Sequence, residues 1–155
     1  MSKKSIPVAG AIITAILVLL FGNPPFVQWI NDPKNVDKDS AIGFVLSKLT
    51  WPDWWFTPKG NMTAFIAHEL RAVLIIALVF GLLSMLAKGI GSGGVGFVVG
   101  WVAVILGAAL AAFITYYVSN IGGNSSSVSA LADGGTYGLF TGWIVGIATS
   151  MAKRG

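Results

Sequence analysis

The sequence predicts an all-α integral membrane protein with four transmembrane helices, both termini in the cytoplasm, and a partly helical outer loop between the first two helices. Apolar residues make up 55% of the 155 residues, and charged residues make up only 10%. A soluble domain is typically about 25% charged, and a soluble fold of this length cannot bury so much apolar surface. Lipid-facing helices remove that conflict, so we expect residues 1–155 to form a single membrane domain.

Four apolar runs of helical length predict the spans, at residues 6–21, 64–86, 95–118 and 134–151. The first run resembles a secretory signal peptide in length, but no small-x-small cleavage pattern follows it, so we predict an uncleaved anchor helix. The glycine-rich segment 87–94 is predicted to be a cytoplasmic turn. The small, polar segment 119–133 is predicted to be an outer loop.

The outer loop 22–63 is polar but contains four of the six tryptophans. Within it, Asp39 or Ser40 is predicted to cap a short helix that follows. The segment 51–56 comes next and predicts an aromatic patch at the membrane interface, because tryptophan prefers the headgroup layer. The patch consists of Trp51, Trp54, Trp55 and Phe56.

The distribution of basic residues predicts the orientation. One set lies in short segments beside the span ends: Lys3, Lys4, Lys88, Lys153 and Arg154. The other set is spread over a much longer stretch: Lys34, Lys38, Lys48, Lys59 and Arg71. Dense bases mark the cytoplasmic side, so both termini are expected there, in what we predict is the plasma membrane of a bacterium.

Glycine rows in the third and fourth spans predict close helix contacts. The fourth span repeats glycine every four residues, and the third has a similar series; the candidate packing residues are Gly134, Gly138, Gly142, Gly146, Gly96, Gly100 and Gly107. Residues four apart share one helix face, and glycine lets a second backbone approach closely. We expect the two helices to pack on each other; the alternative is contact with another subunit.

A polar cluster is predicted at the outer membrane edge, where the second span carries His68, Glu69 and Arg71. Ionisable groups near a membrane are costly and often functional. Glu69 and Arg71 point to different sides of a helix, so we expect Arg71 to pair with Asp133 at the start of the fourth span. The cluster is interpreted as ordinary interfacial charge; the alternative is a proton, quinone or lipid site.

Catalytic and metal chemistry find little support in the sequence. There is no cysteine and only one histidine, His68, which excludes cysteine-bound clusters and a haem held by two histidines. The basic residues lie beside apolar spans, which fits membrane topology better than nucleic-acid binding. We therefore predict no enzyme activity, no metal and no cofactor. An enzyme acting on lipid or quinone through His68 and Glu69 is the weakest alternative.

These observations favour a non-catalytic accessory subunit of a larger membrane complex. The expected partners are other membrane protein subunits and lipid, and the complex we favour is a respiratory-chain (electron-transport) assembly. The alternative is a self-assembling small transporter or channel, in which the glycine rows form homo-oligomer contacts. No Asp, Glu, Lys, Arg or His lies inside the apolar stretches of spans one, three and four, which disfavours ion-coupled transport through one copy.

Overall fold

The computed structural model describes residues 5–58, 61–86, 93–119 and 126–152. These residues form six helices and no strand, which confirms the all-α class. In chain order they are α1 (Ser5–Phe21), α2 (Pro24–Asn31), α3 (Ala41–Leu49), α4 (Met62–Leu86), α5 (Gly93–Ser119) and α6 (Ser127–Ala152).

The four long helices form an antiparallel bundle. Along the α5–α6 contact, Phe97 lies opposite Gly146 and Ala108 lies opposite Gly134, so these two helices run in opposite directions. Gly10 of α1 touches side chains near the ends of α4 and α6, so α1 runs antiparallel to both. We call the opposite end of the bundle the polar end; it comprises the ends of α1 and α5, the starts of α4 and α6, and residues 22–58.

Two described helices, α4 and α5, are each long and apolar enough to cross a membrane. A third candidate arises if α1 and α2, which meet at an angle of 52°, are counted as one bent span. Two or three crossing helices are therefore supported by length and composition, against the four that the sequence predicts. α6 has 26 residues but is rich in glycine, serine and threonine, which lowers its mean hydropathy.

Helix bounds depart from the prediction mainly at α6. This helix begins at Ser127, so residues 127–133 of the predicted outer loop are helical. Ser126 marks the start, because its Oγ accepts hydrogen bonds from the backbone N–H groups of Val128 and Ser129, at 3.2 and 3.4 Å. α5 begins at Gly93, inside the predicted turn 87–94; residues 87–92 and 120–125 lie outside the described residues.

The polar end carries two short helices, one predicted and one missed. The predicted helix is α3, and Ser40 is its cap, since Ser40 Oγ accepts a hydrogen bond from Gly43 N at 3.0 Å. The missed helix is α2, whose cap is Asn23: its Oδ1 accepts from Phe26 N at 2.9 Å. The Pro24–Pro25 pair that follows occupies the first helical turn, where proline costs no hydrogen bond.

Candidate functional site

The glycine row of α6 lies directly against the backbone of α5. A Cβ atom built on Gly138 would lie 2.5 Å from Ile105 Cα, and one built on Gly146 would lie 2.6 Å from the carbonyl oxygen of Phe97. Gly134 is equally close to the backbone of α5. Only glycine permits this approach, so the row serves helix packing within one chain.

The glycines of α5 divide between two neighbours. Gly96 and Gly100 face α6, where Thr149 Oγ1 donates a hydrogen bond to the carbonyl oxygen of Gly96 at 2.8 Å. Gly107 faces α4 instead, and a Cβ built there would lie 2.9 Å from Val79 Cγ2. Both rows are thus buried inside the bundle, which leaves none of these glycine faces open to a second subunit.

The aromatic segment 51–56 folds over the polar end rather than lying as a flat patch beside it. The Trp51 ring is half-buried, with its centroid 5.8 Å from that of Tyr137. Trp54 packs against the core, and its backbone N–H donates to the carbonyl oxygen of Gly22 at 3.0 Å. Phe56 alone among the four predicted patch residues is strongly exposed, at 73%. The tryptophans therefore cover the bundle end.

Asp53 fastens this segment to the first turns of α4. Its Oδ1 lies 2.6 Å from His68 Nδ1 and 3.8 Å from Arg71 Nη1. Glu69 adds a bond from the other side, since its carboxylate accepts the backbone N–H of Trp55 at 2.7 Å. The indole of Trp55 also stacks on the His68 imidazole, with centroids 4.3 Å apart. The histidine and the acid of the predicted cluster thus hold the aromatic segment in place.

The predicted pairing of Arg71 with Asp133 is wrong. Asp133 pairs with Lys48 of α3, Nζ to Oδ1 at 3.0 Å. Arg71 instead donates from Nη1 to the carbonyl oxygen of Trp51 at 3.1 Å, and its guanidinium lies 4.8 Å from the centroid of the Trp51 ring. Asp133 is therefore paired with Lys48 of the short helix α3, and Arg71 is bound by the aromatic segment.

Arg71 and Asp133 nevertheless share a cavity at the polar end. It has a volume of about 280 Å³ and lies between α4, α5, α6 and the aromatic segment. Its polar and aromatic lining residues are Trp51, Arg71, Tyr116, Ser119, Ser129 and Asp133. A basic group, an acidic group and hydroxyl groups thus line one open cavity.

Sequence reasoning missed Asp53, because it is one of several acidic residues in the predicted outer loop. Its position in the sequence could have identified it, since it is the one acidic residue within the aromatic segment 51–56. Among the described residues, no group of three or more His, Cys, Asp or Glu side chains could hold a metal ion. The contacts that are present orient His68 and Arg71 toward the aromatic segment.

Comparison with known proteins adds nothing to this geometry: no family model, no curated protein and no solved structure matches the chain. What the protein does is therefore inferred from its own residues and their contacts.

Proposed function

We propose that the chain is an integral membrane protein whose four long helices all cross the bilayer. Support comes from the sizes of the side chains on the two faces of α5. Its buried face is made of small residues: Gly96, Gly100, Ala103, Val104, Gly107, Ala108, Ala111, Ala112 and Thr115. Its exposed face is made of large apolar residues: Val95, Val98, Val102, Leu106, Leu110, Ile114 and Tyr117. Helices pack this way in lipid, where small residues form the contacts and large apolar ones meet the acyl chains.

The same contrast supports α6 and α1 as spans. The outward face of α6 carries Leu139, Trp143, Ile147 and Met151, at four-residue spacing, while its glycines are used against α5. The low hydropathy of α6 therefore reflects its inner face. The outward face of α1 is also apolar, with Ile12, Ile16, Leu19 and Leu20 exposed. In water these rows would be an aggregation hazard.

The charges support an orientation with the polar end outside and both termini in the cytoplasm. All six acidic residues belong to segments at the polar end. The bases of the predicted cytoplasmic side, Lys3, Lys4, Lys88, Lys153 and Arg154, lie outside the described residues and enter only through their places in the sequence. Their density beside the span ends is what the positive-inside rule requires of the cytoplasmic face.

Within the membrane, we propose that the chain is a non-catalytic accessory subunit of a larger complex, with a respiratory-chain complex of a bacterial plasma membrane as the assembly. The observation that carries this proposal is the bundle interior between its ends. Apart from the phenol of Tyr137, its buried polar side chains in the described part of the chain are threonines, such as Thr14, Thr115 and Thr141, whose hydroxyls donate to backbone carbonyls. Such an interior offers packing but neither an ion path nor a reactive group.

The alternative, a self-assembling transporter or channel, draws on the regular exposed row of α6. That row is suited to contact with a second copy as much as with an unlike subunit. The glycine rows, however, are occupied inside the chain, so copies would have to assemble through large apolar side chains. A conducting path would then run between copies, because the interior of one copy is filled.

Stoichiometry separates the two proposals. The chain is purified in mild detergent from its native membrane through a tag on the C-terminus, and an untagged strain is processed in parallel as control. Native mass spectrometry is expected to find unlike membrane chains in a fixed ratio with one copy of this chain. A species made of this chain alone, at a multiple of 16.2 kDa, would contradict the accessory-subunit proposal.

A further inference from the structure

The cavity at the polar end lies at the level where the proposed spans meet the headgroup layer. Its floor includes Ala112, close to the α5–α6 contact at Gly134. Its rim includes Ser119 and Ser129, which are exposed. The space is thus reached from the outer surface but ends where the packed part of the bundle begins.

One wall of this cavity is basic, because Arg71 lines it. Arg71 Nη1 donates to the carbonyl oxygen of Trp51 at 3.1 Å, and Nε is fully buried, so a ligand in the cavity can meet the guanidinium only through its terminal amino groups. A guanidinium presents its N–H donors in a planar fork, which makes arginine the side chain best matched to a phosphate group.

The opposite polarity is supplied by Asp133. Its Oδ1 accepts from Lys48, and the side chain remains 46% exposed. The charged residues that line the cavity, Arg71 and Asp133, have opposite signs, so their formal charges balance. A cavity with zero net charge, a positive group on one wall and a negative group on another favours a zwitterion over a simple anion or cation.

We propose that this cavity binds the phosphoethanolamine headgroup of a membrane phospholipid, with its phosphate at Arg71 and its ammonium at Asp133. The hydroxyls of Ser119 and Ser129 donate to backbone carbonyl oxygens, so their oxygens are left to accept from the ammonium group, and the Trp51 ring forms an apolar wall. The volume of about 280 Å³ holds a headgroup but no acyl chain. The chains would lie on the apolar outer surface of the bundle.

A lipid is the favoured source of this headgroup because of where the cavity lies. Phospholipid headgroups are present there at high local concentration, so binding needs no soluble ligand. This inference rests on the proposed membrane location, but not on the accessory-subunit role. If the chain is found in the membrane without binding lipid here, only the headgroup site is overturned.

The test is lipid binding to the full chain in detergent, followed by native mass spectrometry. The probes are phosphatidylethanolamine, phosphatidylglycerol of matched acyl chains, and free phosphoethanolamine as competitor. The variants are Arg71→Gln and Asp133→Asn. Lys48→Gln is the matched control, because it removes the same ion pair as Asp133→Asn while leaving the carboxylate on the cavity wall.

The unmodified chain is expected to retain phosphatidylethanolamine about tenfold better than phosphatidylglycerol, the ratio that one charge-assisted hydrogen bond supplies. Asp133→Asn should abolish this preference while phosphatidylglycerol still binds, and Lys48→Gln should keep it. Arg71→Gln should weaken both lipids. If Arg71→Gln fails to fold, the Asp133→Asn and Lys48→Gln comparison still decides.

Three results would overturn the site. The first is equal retention of the two lipids by the unmodified chain. The second is a preference that survives Asp133→Asn. The third is displacement of the lipid by free phosphoethanolamine at equal concentration, which would make a soluble zwitterion rather than a lipid the ligand.

Discussion

Gly138→Ala tests the helix contact at the centre of the fold. The added Cβ would lie 2.5 Å from Ile105 Cα, 2.8 Å from Ile105 N and 2.9 Å from the carbonyl oxygen of Val104. All three atoms belong to the backbone of α5, so no side chain can rotate away. Carbon atoms in contact normally sit about 3.5–4.0 Å apart. The two helices must therefore separate by about 1 Å at this point.

The expected cost follows from overpacking, which typically destabilises by about 1–3 kcal/mol. Alanine has a higher helix propensity than glycine by about 1 kcal/mol, and this gain offsets part of the cost. Gly135→Ala is the matched control, because it makes the same change on the same helix where nothing lies within 4 Å of the new Cβ. The control should be neutral or slightly stabilising.

The assay is unfolding of both variants in detergent micelles, followed by circular dichroism and tryptophan fluorescence. Gly138→Ala is expected to unfold more readily than Gly135→Ala, by about 1–3 kcal/mol in free energy. Equal stability of the two variants would refute the close α5–α6 contact, and with it the interpretation of the glycine row.

Three further predictions address other parts of the bundle. Gly142→Leu should destabilise the fold by a few kcal/mol, because even its Cβ would lie 2.8 Å from a backbone oxygen of α5; a variant with unchanged unfolding would contradict this. Thr149→Val removes a hydrogen bond between α6 and α5 and should lower the free energy of unfolding by about 0.6 kcal/mol. The control Thr136→Val removes a hydrogen bond within α6 and should lower it by less. Equal decreases for the two variants would count against the interhelical bond. Asp53→Asn should loosen the aromatic segment and speed backbone hydrogen exchange in residues 51–56. The control is Asp37→Asn, at an exposed position in the same loop. Identical exchange rates in the two variants would mean that Asp53 does not stabilise the segment.

The long helices could be predicted from sequence because lipid and close packing leave strong patterns. An uninterrupted apolar run marks α4 and α5, and the four-residue glycine spacing marks the contact face of α6. Ser40 also identified the start of α3, since a hydroxyl before an apolar stripe is a helix cap. These patterns involve residues that are close together in the sequence, so they can be recognised from a single sequence.

Other features of the polar end were not accessible from the sequence. The pair Pro24–Pro25 lies in the segment 22–63 that the sequence predicts to be a loop, yet with Asn23 as cap it begins α2. Small polar residues around Ser127 suggested a loop, although they extend α6 beyond the apolar core. Each of these residues is compatible with both structures, and the choice depends on packing against other helices.

Partner choice among distant charges is harder still. The acid that meets Arg71 is Asp53, not Asp133, because the aromatic segment folds over the bundle. Helix periodicity gives the direction of a side chain but not the position of a segment many residues away. Sequence reasoning could therefore name candidate residues for the polar cluster, while their contacts required the fold.

The most direct test of the proposed four-span topology uses the absence of cysteine from the chain, since any introduced thiol is then unique. Single variants Asp37→Cys, Ser126→Cys and Lys88→Cys are labelled with a membrane-impermeant maleimide in intact bacterial cells and after permeabilisation. The first two positions, both exposed at the polar end, should react in intact cells; Lys88→Cys, at the predicted cytoplasmic turn, should react only after permeabilisation. Labelling of Lys88→Cys in intact cells, or opposite behaviour of Asp37→Cys and Ser126→Cys, would contradict four spans with both termini in the cytoplasm.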